Sequence, residues 1–355
     1  MSNADTAPPT PEPSHRAGER RGARKLRLTH RFTSVRVVMV RRGAMALLVV
    51  AVACGAEEAS DSATSGLAIG PLPPGPDIWL ASLEPAPSGL FSVGTPTNLT
   101  GRPGYDNQPH FVPDGSGFWY TVIDDVGQAD IWLYDIASGM VQQTTSSAPE
   151  SEYSATPLPD GTGISVIRVE ADSTQRLWRF DHDGSNASVL LGDLAPVGYQ
   201  AWSDDRTMVL FVLGDSELGT PSTLQVADVM TGETRIVAEN VGRSIHRIPG
   251  SSDISYVQNS EEGGATIMRL DPASGMSEPL IDAVDGVDFN AWTPDGTLVM
   301  GSGAKLYAWK PGTSVAWTEI ADVSEQRIAI SRLAVSPDGS QIAIVGEPAL
   351  RLPGA

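Results

Sequence analysis

The chain has 355 residues, with 43 Asp/Glu against 24 Lys/Arg, a formal net charge of −19, 41% hydrophobic residues and a single cysteine. That length and apolar content suffice for a large core and give no sign of a disordered chain. One cysteine excludes an intrachain disulfide, and so acidic a surface repels phosphate backbones, which argues against a nucleic-acid partner.

The charge is unevenly distributed. Before Cys54, ten Arg/Lys face three acids; after it, fourteen face forty. Residues 44–54 read "AMALLVVAVAC" behind Arg41 and Arg42. These ten small or apolar residues are half of the roughly 20 that span a bilayer, and they have the length of a signal-peptide core behind a positive flank. Ala51-Val52-Ala53-Cys54 resembles a bacterial lipobox, with Ala51 standing where leucine is commoner. The resemblance implies a diacylglyceryl group on Cys54, and several acyl chains at about 0.8 kcal/mol per buried methylene anchor a protein stably. The expected organisation is a leader over residues 1–53, translated from Met1 or from Met39, then a lipidated Cys54 and flexible tether over 54–76, then one folded domain over 77–349. The expected address is the cell envelope, with the protein on a membrane and facing the periplasm or the cell surface.

From residue 105 onward a Pro-Asp-Gly turn returns at a steady interval. Taking its second residue as marker gives Asp114, Asp160, Asp205, Gly250, Asp295 and Asp338, spaced 43 to 46 residues apart. Proline presets the first turn dihedral, Asp bonds the following amides and Gly accepts a positive φ, so each turn joins two strands. A third strand follows in each copy, such as "DIWLYDI" from Asp130, then a Gly-containing turn and a fourth strand such as "ETRIVA". Four antiparallel strands per repeat of about 45 residues predict a propeller blade. In the fourth copy "RIPGSSD" lacks the Asp-Gly pair, which makes its hairpin the least secure. The sixth copy has two strands only, while "DIWLASLEP" from Asp77 starts like a third strand. An all-β, six-bladed propeller is therefore expected, its last blade completed by N-terminal strands.

Trp202-Ser203, Trp292-Thr293-Pro294-Asp295-Gly296, Ser336-Pro337-Asp338-Gly339 and Asp130-Ile131-Trp132 resemble the repeats of the TolB-like (PD40, WD40-like) β-propellers over about residues 77–347. The resemblance implies a monomeric propeller. TolB carries an additional α/β domain for which residues 54–77 leave no room, so its role as a translocation scaffold is not carried over.

Catalytic patterns are sparse. "GDSEL" at Gly214–Leu218 falls in a predicted loop without a partner base, and Gly-x-Ser-x-Gly is absent. His110 and His246 share a repeat position on opposite blades, too few ligands for zinc, and are expected to pack within their blades. "DHDGSN" at Asp181–Asn186 matches part of a calcium loop but lacks its closing Glu, and reads as a strand turn. Trp132, Trp178, Trp202, Trp292 and Trp309 are expected between blades. Neither metal nor cofactor is expected. The remaining candidate is the channel mouth, where residues seven and six before the markers supply Asn107, Gln108, Tyr153, Tyr199, Arg243, Asp288, Phe289 and Arg332, beside Gly198 and Ser331. This mixed aromatic and polar ring suits a protein or peptide ligand. The sequence thus favours a non-enzymatic binding scaffold, with a hydrolase or lyase at the channel mouth as the alternative.

Overall fold

The computed structural model describes residues 75–348; the leader, Cys54 and the expected tether up to residue 74 lie outside them. Six antiparallel sheets of the predicted blade type stand around an axis as a closed six-bladed propeller. Their innermost strands are Tyr105–Phe111, Ser151–Pro157, Val197–Trp202, Val241–Arg247, Asn290–Trp292 and Ile328–Val335, defining blades I to VI. Among the described residues no helix is long and apolar enough to cross a membrane.

Blade VI is built from both ends of the described chain. Its two inner strands are Ile328–Val335 and Gln341–Pro348, its third is Asp77–Pro85, and its outer position is shared by Phe91–Val93 and Thr97–Asn98. Ile78 pairs with Val345, Ala81 with Ile342 and Ser82 with Gln341, so the expected circular completion is borne out. Ile78 is wholly buried and packs with Val345 against Phe111, Phe118 and Tyr120 of blade I. The seam strand thus ties the sixth blade to the first as well as closing its own sheet.

The turns follow from their local chemistry. In blade I the Gly115 amide donates to the Val112 carbonyl at 2.9 Å, with Gly115 at φ 74° and the Asp114 carboxylate receiving the Ser116 amide. Hydroxyl and amide donors from Ser336 and Ser340 hold the equivalent Asp338 down to about 2. Blade IV keeps its hairpin by another route: Ser251 donates to the Ile248 carbonyl, and the left-handed residue is Gly250, also at φ 74°. Proline followed by a positive-φ glycine is the type II arrangement, so losing Asp-Gly moves the special glycine forward by one place without losing the turn.

The second strands are buried almost end to end, as in Gly117–Ile123 and Gly163–Val169, because neighbouring blades cover both faces. Between blades I and II, Val112, Trp119 and Ile131 meet Ala155, Ile164, Val166 and Phe180. The repeat tryptophans add a polar staple: Trp202 Nε1 donates to Ser165 Oγ of the preceding blade at 3.0 Å, and Trp292 Nε1 to Ser255 Oγ at 2.8 Å. Each staple satisfies an indole donor that burial would otherwise strand.

Candidate functional site

Five of the six innermost strands slip register where they approach the axis, at Asn107/His110, Tyr153/Thr156, Val197/Tyr199, Val241/Ile245 and Ile330/Arg332. Such bulges bend a strand and re-aim its side chains. They bring the residue six before each marker to one place: Gln108, Ser154, Tyr199, Ser244, Phe289 and Arg332 all line a single axial cavity of about 330 Å³. Gln108 and Ser154 have left-handed backbones at φ 59° and 54°, a conformation costly enough for non-glycine residues to need support from its surroundings.

That support is a set of bonds between equivalent or neighbouring repeat positions of adjacent blades. The Ser154 amide donates to Gln108 Oε1 at 2.8 Å, and Gln200 Nε2 to the Ser154 carbonyl at 3.1 Å. The Asn290 amide donates to Ser244 Oγ at 3.2 Å and the Arg243 amide to Asp288 Oδ2 at 2.8 Å. One bond crosses the bore instead: Arg332 of blade VI donates from Nη2 to the Tyr199 hydroxyl of blade III at 3.2 Å. Phe289 of blade V completes the crossing, with the Arg332 guanidinium 3.8 Å from its ring centroid and Tyr199 set edge-on at 6.2 Å.

Of the residues expected at the mouth, Gln108, Tyr199, Arg243, Phe289 and Arg332 line the cavity. Asn107, Tyr153 and Asp288 do not, and they brace those that do. Asn107 is 6% exposed and its Oδ1 accepts the Gln108 amide. Tyr153 packs into the apolar seam between blades II and III, and Asp288 receives the amides of Arg243 and Ser244. Blade V shows this split without a bulge, and in the bulged strand of blade IV Arg243 and Ser244 both reach the cavity, so it is set blade by blade. Gln200 and Asn290, one place nearer the marker, line the cavity unanticipated.

His110 and His246 also line it, and His246 keeps the bond within its blade that the repeat position suggests, to Ser244. Burial pushes the His246 imidazole down to about 4, and the nearby His110 and Arg332 add to the effect. His110 is exposed to the bore. Both rings are neutral donors and acceptors near pH 7. Ser244 Oγ lies 3.0 Å from His246 Nε2, the spacing of a nucleophile and its base. Ser244 is only 2% exposed and its oxygen already accepts the Asn290 amide, so this pair locks the strand. The "GDSEL" segment lies in the exposed loop expected of it, closed by Thr220 donating to the Asp215 carbonyl. Among the described residues no three His, Cys, Asp or Glu side chains converge to hold a metal.

No family model and no curated protein sequence matches the chain. Solved structures do. A putative TolB from Agrobacterium tumefaciens is 13% identical, with a TM-score of 0.59 over 77% of this chain and 98% of that one. TolB from Acinetobacter baumannii is 13% identical, with a TM-score of 0.51 over 77% of this chain. This chain spans 65% of that protein's length. A puromycin hydrolase mutant is 14% identical, with a TM-score of 0.50 over 73% of this chain and 47% of that one. At such identities the likeness is one of fold, and at that level the resemblance read from the repeats holds: this is a six-bladed propeller of the kind found in TolB proteins.

Proposed function

We propose that the chain is a lipid-anchored scaffold of the bacterial cell envelope, a monomeric propeller that engages a protein or peptide at its channel mouth and performs no catalysis. The observation supporting this reading is the ring six residues before each marker. One structural position, repeated around a 330 Å³ cavity, carries two serines and four side chains of different chemistry. A ligand cavity combines apolar and aromatic lining with a few placed polar groups, and this ring supplies both. A photo-crosslinking residue placed at Gln108 or at Thr156 should trap one partner, and the same residue at the exposed Glu278 should trap none. Absence of an adduct at both mouth positions would overturn the binding reading. The envelope address rests on the lipobox resemblance. Mass spectrometry of the mature amino terminus should find Cys54 acylated, and Cys54→Ser should shift the protein to the soluble fraction.

The second reading, a hydrolase or lyase acting at the same mouth, draws on the two neutral imidazoles near Arg332. It requires turnover of an ester or saccharide panel that His246→Gln abolishes while the protein stays folded.

A further inference from the structure

The channel's electrostatics run against those of the molecule. In a chain with 43 Asp/Glu and 24 Lys/Arg, the axial cavity is lined by Arg243, Arg247 and Arg332 and by no carboxylate. Two of the three are partly compensated. Arg243 Nε lies 3.5 Å from Asp288, and Arg247 Nε donates to the Ser251 carbonyl at 2.7 Å.

Arg332 is different. Among the described residues no carboxylate lies within salt-bridge reach of it. Its one side-chain hydrogen bond goes to the Tyr199 hydroxyl, and its Nε is sealed from solvent without an acceptor. The ring faces of Phe289 at 3.8 Å and Tyr199 at 5.2 Å hold the planar guanidinium and offset part of its charge, but they accept no N–H in its plane. A half-buried cation with idle in-plane donors is the geometry that receives a carboxylate.

We propose that the channel mouth recognises a carboxylate group, with Arg332 as its principal receptor and Arg243 as the supporting cation. The inference rests on the binding reading above and names what the partner inserts: a free C-terminus or an acidic side chain. A cavity of about 330 Å³ admits such a group and rejects a folded surface. The other polar groups around Arg332 are neutral: Gln108, Ser154, Gln200 and Asn290, of which Gln200 Oε1 and Asn290 Oδ1 lack partners. The stacked planar fork matches the two oxygens of a carboxylate, and phosphate, to which the three arginines also offer charge, is the competing anion of the test.

The test is calorimetric titration of the full acylated chain in detergent with N-acetyl-trialanine, its C-terminal amide, glutarate and inorganic phosphate. The free acid should bind roughly ten- to a hundredfold tighter than the amide, the scale of hydrogen bonds to a charged partner. Arg332→Gln should erase that preference with an unchanged melting curve. Arg332→Lys, which keeps the charge but not the fork, should recover only part of it, and Arg327→Gln, on the same strand's approach, should leave it intact. Equal binding of acid and amide, phosphate binding tighter than either, or full binding by Arg332→Gln would overturn the proposal. Glutarate binding through Arg332 without any peptide binding would uphold the carboxylate site and remove the peptide reading. A partner crosslinked at Gln108 and indifferent to Arg332→Gln would do the reverse.

Discussion

The seams between blades and the mouth of the channel use the same repeat in opposite ways. At the seams, Trp202 and Trp292 occupy one repeat position and make one bond, each to a serine of the preceding blade. At the mouth, Gln108, Ser154, Tyr199, Ser244, Phe289 and Arg332 occupy one position and make different bonds. The staple recurs where those two tryptophans stand, while the other four blades carry Phe111, Pro157, Arg247 and Val335 at that position. Around the axis the six residues face one shared cavity, where each can take a different part. Rigidity in the seams is what lets Arg332 of blade VI hold a register with Tyr199 of blade III, 133 residues away.

The comparison predicts large stability losses at the seams and small ones at the mouth. The largest belongs to Ile78→Asp, which places a carboxylate at a wholly buried position in the closing sheet. It should cost about 4 kcal/mol or more and broaden the denaturant transition as the ring opens, measured by the urea midpoint and slope. Phe118→Ala removes a fully buried ring stacked on Tyr134 at 5.2 Å and should cost about 3–4 kcal/mol. Trp202→Phe deletes a staple but keeps most of the apolar volume, for about 1–2 kcal/mol. A double-mutant cycle with Ser165→Ala should show coupling of about 1 kcal/mol. Gln108→Ala and Arg243→Gln should each stay within about 1 kcal/mol by the same midpoint, and a loss as large as that of Phe118→Ala would blur the distinction between the two regions.

The two regions also answer pH with opposite signs. Asp106, wholly buried behind blade I and 2.7 Å from Arg102, is pushed up to about 6 because burial outweighs the ion pair. The folded state therefore binds its proton more tightly than the unfolded chain, and stability falls as pH rises from about 4 to 6. His246 is pushed down from 6.5 to about 4, mainly by burial. The unfolded chain then binds protons that the folded state refuses, and stability rises with pH across that window. Wild type should show a flattened profile between pH 4 and 6.5. Asp106→Asn should leave a rising one, and His246→Gln a falling one, followed as melting midpoints.

The architecture was legible because its signals are local and repeated. Each turn states its own conformation, and the spacing of the markers, with two strands missing after Asp338, points to the N-terminal strand from Asp77. The mouth was half legible for the same reason. Counting back from the markers finds the right neighbourhood, but a regular strand alternates its side chains and these strands do not. The bulge between Asn107 and His110 leaves Asn107 a brace and His110 a channel residue, and within "YDNQPHF" only Pro109, which cannot donate to the ladder, marks that slip. Contacts across the bore, such as Arg332 with Tyr199, depend on the ring's closure and have no sequence signature of their own.

The pairing of Asp77 with Gly346 has a consequence for how the molecule comes into being. A chain that emerges from its amino end, from a ribosome or an export pore, can assemble blades I to V in order while the strand beginning at Asp77 waits for its neighbour. Through that interval two unpaired strand edges face solvent, and each is a template for a foreign strand. The toroid locks only in the final step, so any factor that guards this protein during biogenesis has its task at those two edges.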